Sequence, residues 1–350
     1  MKKRNLKVLS LVVVLLIALS VLAGCGGGSG SQDNGNGGNS GDSSEPEKVV
    51  LKAATSVDLT HPYSQGLLAY SDLLEEATDG RYSIELFPAG QLGSEREIIE
   101  GVQMGTIDLA VVSTAPLAGF SDAFLVTDLP FIFKSKEHAY KVLDGEIGQG
   151  ILQKLDGTGI KGIAFWENGF RNITNSKKPI NVPADMQGIK IRTMENQIHM
   201  DSFRQIGADP TPMAFGELFT ALQQKTVDGQ ENPLPIISTS KFNEVQEHLA
   251  LTGHFYAPAP LLMSEAVWGK LSAEDQAIFQ NLGNEARDIE RGMIADMDAR
   301  LVDELTALGM KVTTPDKAPW QEAMAPVYDK WQDKIGKDLI EQVRAAGDGL

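Results

Sequence analysis

The sequence predicts an α/β fold with two lobes and one long helix that spans both. Between residues 49 and 112, apolar strand patterns alternate with helical patterns, which predicts a parallel sheet with helices on both faces. A helix-and-strand pattern also occurs twice, at 97–108 and 217–228. From Ser272 to about Gly309, apolar residues recur every three or four positions without a proline, as in a long helix.

The first elements are bounded by capping and breaking residues. His61-Pro62 opens a helical pattern, because proline is well tolerated in the first turn of a helix. Ser94 and Glu97 have the spacing of a capping box. The predicted order is a strand at 49–55, a helix from 61 to about 80, a strand at 82–86, a helix from 94 to about 105 and a strand at 107–112.

The two copies of the repeated pattern share glutamate, glutamine, threonine and aspartate at matching positions, with apolar residues between them. Chance similarity between two helix–strand units is one explanation. The other is a pair of similarly built lobes that face each other across a cleft, which is a common arrangement for a closable ligand trap.

The helical pattern at 272–309 would form an element roughly 50 Å long at 1.5 Å per residue, which is longer than one small lobe. Two consecutive helices are the alternative, and Gly283 or Gly292 could kink a single one. One helix that crosses both lobes accounts better for the length.

The N-terminus has the parts of a secretory signal. A basic cluster at 1–7 precedes an apolar run at 8–23 that is short for a membrane span. Leu22-Ala23-Gly24-Cys25 resembles the lipobox of bacterial lipoproteins, which implies a signal peptide at 1–24 and acylation of Cys25. An uncleaved anchor helix is the alternative, and both interpretations place the remaining chain outside the cytoplasm.

Residues 25–48 are predicted to be the lipidated cysteine and a flexible tether, because small and polar residues dominate and no aliphatic side chain precedes Val49. Cys25 is the single cysteine, so a disulfide framework is excluded. The formal net charge of −16 argues against nucleic acid as a partner and against a general electrostatic attraction to anionic lipid.

Two arginines are candidates for binding an anion. Arg171 lies beside Gly169 and Phe170, and Arg192 ends a probable strand after Ile191. Ligands bind at the carboxyl ends of strands in open α/β sheets, and a guanidinium matches both oxygens of a carboxylate. Ordinary salt bridges to the many acidic residues are the alternative for each arginine.

No pattern of catalytic, cofactor-binding or metal-binding residues stands out. Residues 157–162 fit G-x-G-x-x-G, but a helix precedes them and a strand follows, the reverse of a dinucleotide loop. His248 and His254 lie on opposite sides of an apparent loop, without a convincing carboxylate partner. We therefore expect no cofactor, no metal and no enzymatic activity.

Several segments together resemble the solute-binding proteins of tripartite ATP-independent periplasmic (TRAP) transporters, of the type that binds dicarboxylates or sugar acids. The resemblance extends from about Val49 into the long helix and is weak after Gly309. The segments that carry it are Gly188-Ile189-Lys190-Ile191-Arg192, 207–215 (Gly-Ala-Asp-Pro-Thr-Pro-Met-Ala-Phe), 221–223 (Ala-Leu-Gln) and 227–233 (Val-Asp-Gly-Gln-Glu-Asn-Pro), with support from 88–93, 129–131 and 169–171.

The resemblance implies a periplasmic-binding-protein-like fold with hinge strands between two lobes. The predicted limits are 49–168 plus about 258–297 for lobe I, and 169–257 plus about 298–345 for lobe II. Arg192 would form the main salt bridge to a substrate carboxylate, with Arg171 assisting. Asn232 would orient the ligand, and Phe215 would pack against it.

We extend the predicted site to Trp166, His61 and Glu95, because these residues lie near strand ends or helix starts. All three could equally have structural roles. A sugar acid and a C4-dicarboxylate both suit two arginines with nearby amides, and the polar residues Glu95, Asn168 and Glu195 favour the hydroxylated sugar acid. The family also implies two integral membrane subunits as partners.

The predicted function is therefore capture of a small organic carboxylate by an extracytoplasmic lipoprotein, anchored in the periplasm or on the outer face of the cell membrane, for a TRAP transporter. A receptor for an ABC importer or a sensor kinase is the alternative. A secreted lyase or hydrolase is a further alternative, for which no constellation is visible.

Overall fold

The computed structural model describes residues 48–350. The predicted signal peptide at 1–24, Cys25 and most of the predicted tether lie outside the described residues. Within 48–350, no helix is both long enough and apolar enough to cross a membrane.

The described strands form one mixed sheet. Two parallel groups are joined at its centre by two long antiparallel strands. The strands are β1 Val49–Ala54, β2 Tyr82–Phe87, β3 Leu109–Val111, β4 Ile160–Asn175, β5 Lys190–Thr193, β6 Asp209–Pro212, β7 Gly229–Asn232, β8 His248–Ser264 and β9 Lys311–Thr313. Their order is β2-β1-β3-β8-β4-β7-β5-β6, and β9 pairs with β8.

Helices cover both faces of this sheet. Alternate residues of β1 show this, since Ala53 belongs to one apolar core and Ala54 to another. The α-helices are α1 Pro62–Ala77, α2 Glu95–Met104, α3 Thr114–Leu117, α4 Lys136–Leu143, α5 Glu146–Leu152, α6 Gln197–Gln205, α7 Phe215–Gln223, α8 Leu234–Thr239, α9 Glu265–Trp268, α10 Ala273–Ala307, α11 Lys317–Met324, α12 Pro326–Ile335 and α13 Lys337–Ala346. The short 3₁₀ segments are Asp122–Asp128, Gln153–Leu155, Pro183–Met186 and Phe242–Glu244.

The two parallel groups are built alike. In the first, β1 lies between β2 and β3, and in the second, β5 lies between β6 and β7. The repeated sequence pattern covers most of α2 and the turn before β3, and most of α7 and the turn before β7, and these segments occupy equivalent places. The repeat therefore reflects two similarly built lobes, and the predicted fold class is confirmed.

The crossing strands β4 and β8 contain 16 and 17 residues and pair antiparallel along most of their length. Their register shifts at three points, and two of these shifts flank Phe170. Gly169 has a φ of +114°, a backbone conformation that side chains disfavour and glycine tolerates. The strands thus bend where they pass from one lobe to the other, beside Arg171.

The predicted long helix is a single element, α10, with Ser272 as its N-cap. It packs against α1 of the first lobe, along β4, and against α8 of the second lobe. Arg291 fixes it from the middle by donating to the carboxylate of Asp144 at 2.7 and 2.9 Å and to the Phe165 carbonyl at 2.8 Å. One continuous helix therefore packs against both lobes.

The C-terminal segment divides between the lobes, whereas the predicted limits place 298–345 in lobe II. Trp320 of α11 packs in the core of β5 and α6. Val327 of α12 and Val343 of α13 belong instead to the core that contains Ile98 of lobe I, while α12 also contacts α6 of lobe II. The C-terminal helices therefore join both lobes.

Candidate functional site

A narrow cavity lies where the lobes meet, at the carboxyl ends of the parallel strands, as expected for an open α/β sheet. Its volume is about 10 Å³, which is barely room for one water molecule. The conformation is therefore closed, and an organic acid can enter only when the lobes separate. The lining residues are Ser56, Val57, Tyr63, Glu95, Ser113, Arg192, Met194, Phe215, Asn232 and Ile236.

Arg192 reaches this cavity from β5. Its side chain is buried, and Nε and Nη2 both donate to the Met213 carbonyl oxygen, at 2.9 and 2.6 Å. Neither bond uses Nη1, and no carboxylate among residues 48–350 lies within ion-pair distance of the guanidinium. Burial and the nearby charge of Arg171 lower the pKa of Arg192 to about 10. The guanidinium therefore stays protonated at neutral pH, and the carboxylates of Glu231, Glu95 and Glu195 act on it without coming within ion-pair distance.

Arg171 lies on β4 and is fully buried, but its charge is already balanced. It donates from Nη2 to Oε1 of Glu231 at 2.8 Å and from Nε to Oε2 of the same carboxylate at 2.5 Å. Nη2 also donates to Oδ1 of Asn232 at 3.1 Å, whereas Nη1 has no hydrogen-bond partner among residues 48–350. The alternative of a salt bridge thus applies to Arg171 and not to Arg192.

Glu231 holds a second partner, His254, whose Nε2 lies 3.2 Å from Oε2. Although burial opposes ionisation, Arg171 and His254 keep the pKa of Glu231 far below its usual range. The expected loop between His248 and His254 is wrong, because both residues belong to β8. The expected absence of a carboxylate partner is also wrong for His254, because the sheet places β7, which carries Glu231, on one side of β4, and β8, which carries His254, on the other.

Asn232 and Phe215 both line the cavity from lobe II. The Asn232 amide accepts from Arg171 and donates to Oε1 of Gln230 at 2.5 Å, so its orientation is fixed by both neighbours. Phe215 begins α7, and its ring contacts Phe242 edge-on at a centroid distance of 6.2 Å. The wall around Arg192 therefore combines an oriented amide with an apolar face.

Glu95 brings an acidic group to the cavity from lobe I, at the start of α2. Its Oε1 accepts from the backbone N–H and the hydroxyl of Ser113 at 2.9 and 3.1 Å, and from the Ser56 hydroxyl at 3.4 Å. Burial raises the pKa of Glu95, while the bonds from Ser113 and the charge of Arg192 act in the opposite direction. This carboxyl group is thus fixed in the wall and oriented by hydroxyls.

Trp166 and His61 are not among the cavity-lining residues. Trp166 is buried under α10, where its Nε1 donates to the Gly283 carbonyl at 3.1 Å. His61 caps α1, since Nδ1 accepts from the Tyr63 backbone N–H at 3.2 Å, and burial lowers the pKa of its imidazole to about 3. The structure therefore places both behind the cavity wall, where they support it.

Sequence reasoning missed several residues of the cavity wall. Ser56 follows β1 and Ser113 follows β3, so the rule that ligands meet strand carboxyl ends could have found both. Tyr63 gave no such signal, because its ring reaches the cavity from within α1.

Comparisons with known proteins agree with this geometry. The family model of bacterial extracellular solute-binding proteins, family 7, matches residues 53–334. A solute-binding protein of Verminephrobacter eiseniae is 46% identical over 274 residues, which cover 78% of this chain and 82% of that protein.

Two solved structures are also similar. A TRAP periplasmic solute-binding protein from Polaromonas, bound to D-erythronate, is 45% identical, with a TM-score of 0.84 over 85% of this chain and 99% of that one. One from Bordetella, with density interpreted as pantoate, is 42% identical, with a TM-score of 0.84 over 85% and 99%.

These matches confirm the predicted two-lobed fold and the resemblance to the solute-binding proteins of TRAP transporters. They also confirm that the protein is a solute receptor rather than an enzyme, and that it acts outside the cytoplasm. The chain belongs to the bacterial extracellular solute-binding proteins of family 7, the receptors of TRAP transporters.

Proposed function

We propose that this protein captures a small organic carboxylate, either a sugar acid or a C4-dicarboxylate, with Arg192 as the group that binds it. The observation that supports this proposal is a buried guanidinium in the cleft with no carboxylate of residues 48–350 within ion-pair distance. A buried charge is costly unless it is paired. A ligand carboxylate would supply the missing partner, in the planar geometry that a guanidinium fits.

Closure of the lobes is the second part of the proposed mechanism. An open cleft admits the ligand, and closure then removes water, which strengthens the ion pair as the local dielectric falls. Desolvation offsets part of that gain. Arg171 would act through Asn232, which it orients, and Phe215 would exclude water from one side of Arg192. A micromolar dissociation constant, about −8 kcal/mol, is ordinary for such a site.

Titration calorimetry of Arg192→Ala tests the proposed site. We expect carboxylate binding to weaken by about 2–5 kcal/mol, because one partner of a buried, hydrogen-bonded charge pair is lost. Arg204→Ala is the matched control, since Arg204 is an arginine of the same lobe whose side chain is 49% exposed and contacts Asp201 at the surface. Carboxylate binding that survives Arg192→Ala would place the site elsewhere.

We also propose that residues 1–24 are a lipoprotein signal peptide and that Cys25 carries the lipid anchor. The supporting pattern is Leu22-Ala23-Gly24-Cys25 at the end of the apolar run. Expression of Cys25→Ser in a bacterial host, followed by membrane fractionation, tests this proposal. We expect the wild-type protein in the membrane fraction, and the variant without acyl chains by mass spectrometry. An identical mass shift in both would contradict lipidation at Cys25.

Delivery would require two integral membrane subunits of a TRAP transporter. Reconstitution of those subunits in proteoliposomes tests the partnership. We expect solute uptake only when the purified receptor is added. Uptake at the same rate without the receptor would contradict the proposed role.

A further inference from the structure

The wall that lobe I contributes to the cavity is rich in hydroxyl groups. Ser56, Tyr63 and Ser113 lie there together with Glu95. Among the described residues that line this cavity and the adjoining one, Arg192 is the one cation. A second carboxylate on the ligand would therefore meet an acid and hydroxyls, and the charge of Arg171, which also acts on Glu95 and Tyr63, is already neutralised by Glu231.

The hydroxyl of Tyr63 is a hydrogen-bonding group of this wall that bears on the choice of ligand. The side chain is fully buried, and its hydroxyl oxygen makes no hydrogen bond of good geometry among residues 48–350, although the Ser113 hydroxyl is close enough to act on its pKa. Its ring is fixed edge-on against His61, at a centroid distance of 4.7 Å. Burial and the negative charges of Glu95 and Glu290 raise its pKa, so it remains an O–H donor. Buried polar atoms are almost always hydrogen-bonded, and a ligand group in the cavity would complete the bonding that Ser113 offers only in part.

Glu95 complements that donor with an acceptor. Its hydrogen bonds from Ser56 and Ser113 all involve Oε1, and none involves Oε2. The bonds from Ser113 and the charge of Arg192 favour the ionised form of Glu95 against the effect of burial. An ionised carboxylate only accepts hydrogen bonds, so in that form Oε2 suits a ligand O–H and repels a ligand carboxylate. An acceptor and a donor in the same wall match a hydroxyl group, which can donate to one and accept from the other.

We infer that Tyr63 and Glu95 form hydrogen bonds with hydroxyl groups of the ligand, and that the ligand is a short hydroxy-monocarboxylate rather than a C4-dicarboxylate. This inference rests on the proposed role of Arg192, which would hold the single carboxylate at the opposite end. Tyr63 and Glu95 are thus specificity-determining residues, supplied by lobe I, while lobe II supplies the charge.

Four ligands with four-carbon chains separate these features. D-Erythronate carries one carboxylate and hydroxyls, butanoate lacks the hydroxyls, succinate has a second carboxylate, and erythritol has hydroxyls alone. Calorimetry of the purified wild-type protein should give erythronate the highest affinity, at least tenfold above butanoate and succinate, with no binding of erythritol. Succinate binding as tight as erythronate binding would overturn the inference.

Two conservative variants assign the effect to its residues. Tyr63→Phe should weaken erythronate binding about 5- to 30-fold, the size of one or two hydrogen bonds, and leave butanoate binding unchanged. Glu95→Gln should lower the ratio of erythronate affinity to succinate affinity at least tenfold. The negative charge that repels the second carboxylate of succinate is gone in this variant. Thermal unfolding of each variant shows that the fold is kept.

The controls distinguish failure of this inference from failure of the proposed function. Two outcomes would overturn the roles of Tyr63 and Glu95 and leave the role of Arg192 intact. One is an equal loss of affinity for erythronate and butanoate in Tyr63→Phe, and the other is an unchanged ratio of erythronate affinity to succinate affinity in Glu95→Gln. Erythritol binding, or erythronate binding that survives Arg192→Ala, would overturn the carboxylate site itself and the inference with it.

Discussion

The two lobes share a scaffold and differ in what they present to the cleft. In lobe I, Oδ2 of Asp108 accepts from the Lys52 backbone N–H at 2.7 Å, and the Asp108 N–H donates back to the Lys52 carbonyl at 3.0 Å. In lobe II, Asp228 and Lys190 make the same two bonds, at 3.0 and 2.7 Å. The repeated aspartate is therefore explained by one task, which is to join the third strand of each lobe to the first.

The equivalent positions that face the cleft have diverged. The strand registers match Ala54 of β1 to Arg192 of β5, and the repeated pattern matches Glu95 to Phe215. Both members of the second pair line the cavity. The comparison shows that the residues that stabilise the turn are alike in the two lobes. Equivalent residues at or near the cavity have different side-chain chemistry in each lobe.

The largest predicted effect concerns a position where lobe II buries a charge and lobe I does not. Glu231 corresponds to Val111 in the repeat, and its carboxylate neutralises Arg171. Glu231→Gln should lower the free energy of unfolding by about 3–5 kcal/mol, because Arg171 is left buried without a counter-ion. Chemical denaturation at pH 7 measures this loss.

Glu247→Gln is the control for that measurement. Glu247 pairs with Lys311 at 3.2 Å, but the two side chains are 64% and 65% exposed. Exposed pairs contribute less than about 1 kcal/mol. Equal effects of the two substitutions would mean that burial of Arg171 with Glu231 does not contribute to stability as the geometry implies.

The same pair predicts a pH dependence with a definite sign. The pKa of Glu231 is depressed in the folded protein from a reference value of 4.5. Its contribution to stability is therefore complete above about pH 4.5 and is lost as the pH falls towards the folded-state pKa. The stability difference between wild type and Glu231→Gln should shrink when denaturation is repeated between pH 5 and pH 3. A constant difference across that range would contradict the assignment.

The sequence predicted what local patterns determine. The capping box of Ser94 with Glu97 is present, α10 begins after its Ser272 cap, and Arg192 lies on a short strand. Each of these features depends on residues a few positions apart, or on a single period of 3.6 residues. The duplicated lobe was also predictable, since the repeated segments differ little in length or pattern.

The sequence did not predict features that depend on distant pairing. Arg171 and Glu231 are 60 positions apart, and nothing in either local sequence marks one as the partner of the other. β4 and β8 are nearly continuous buried segments, and strands buried on both faces lack the alternation that would reveal them. That is why the local pattern around the histidines of β8 indicates a loop.

The second predicted effect tests whether the repeated aspartates contribute equally. Asp108→Ala and Asp228→Ala should each cost about 1–3 kcal/mol, because each leaves a backbone donor of the first strand without a charged acceptor. Asp228 is also 3.2 Å from Lys177, so its loss should be the larger one. Asp209→Ala is the control, an exposed aspartate on edge strand β6, and should stay within about 0.5 kcal/mol of wild type. An effect at only one of the two aspartates would break the proposed equivalence.

The smallest effect concerns the turn that follows each repeated helix. Gly105 and Lys225 occupy the same position of the repeat and have φ values of +75° and +58°. A left-handed conformation costs a residue with a side chain about 1 kcal/mol. Lys225→Gly should therefore stabilise the protein by up to about 1 kcal/mol, and Gly105→Ala should destabilise it by a similar amount. Chemical denaturation measures both.

Backbone conformation, rather than crowding, should decide these two results. A Cβ atom at Gly105 would meet its nearest neighbour, Oγ of Ser264, at 3.4 Å, which is an ordinary contact. Gly216 of α7 offers the matched control, because it has a helical φ and nothing within 4 Å of an added Cβ. Gly216→Ala should stabilise the protein, so the same substitution changes sign with φ alone. If Lys225→Gly instead lowers stability, the extra freedom of glycine in the unfolded chain outweighs the strain of the left-handed lysine in lobe II.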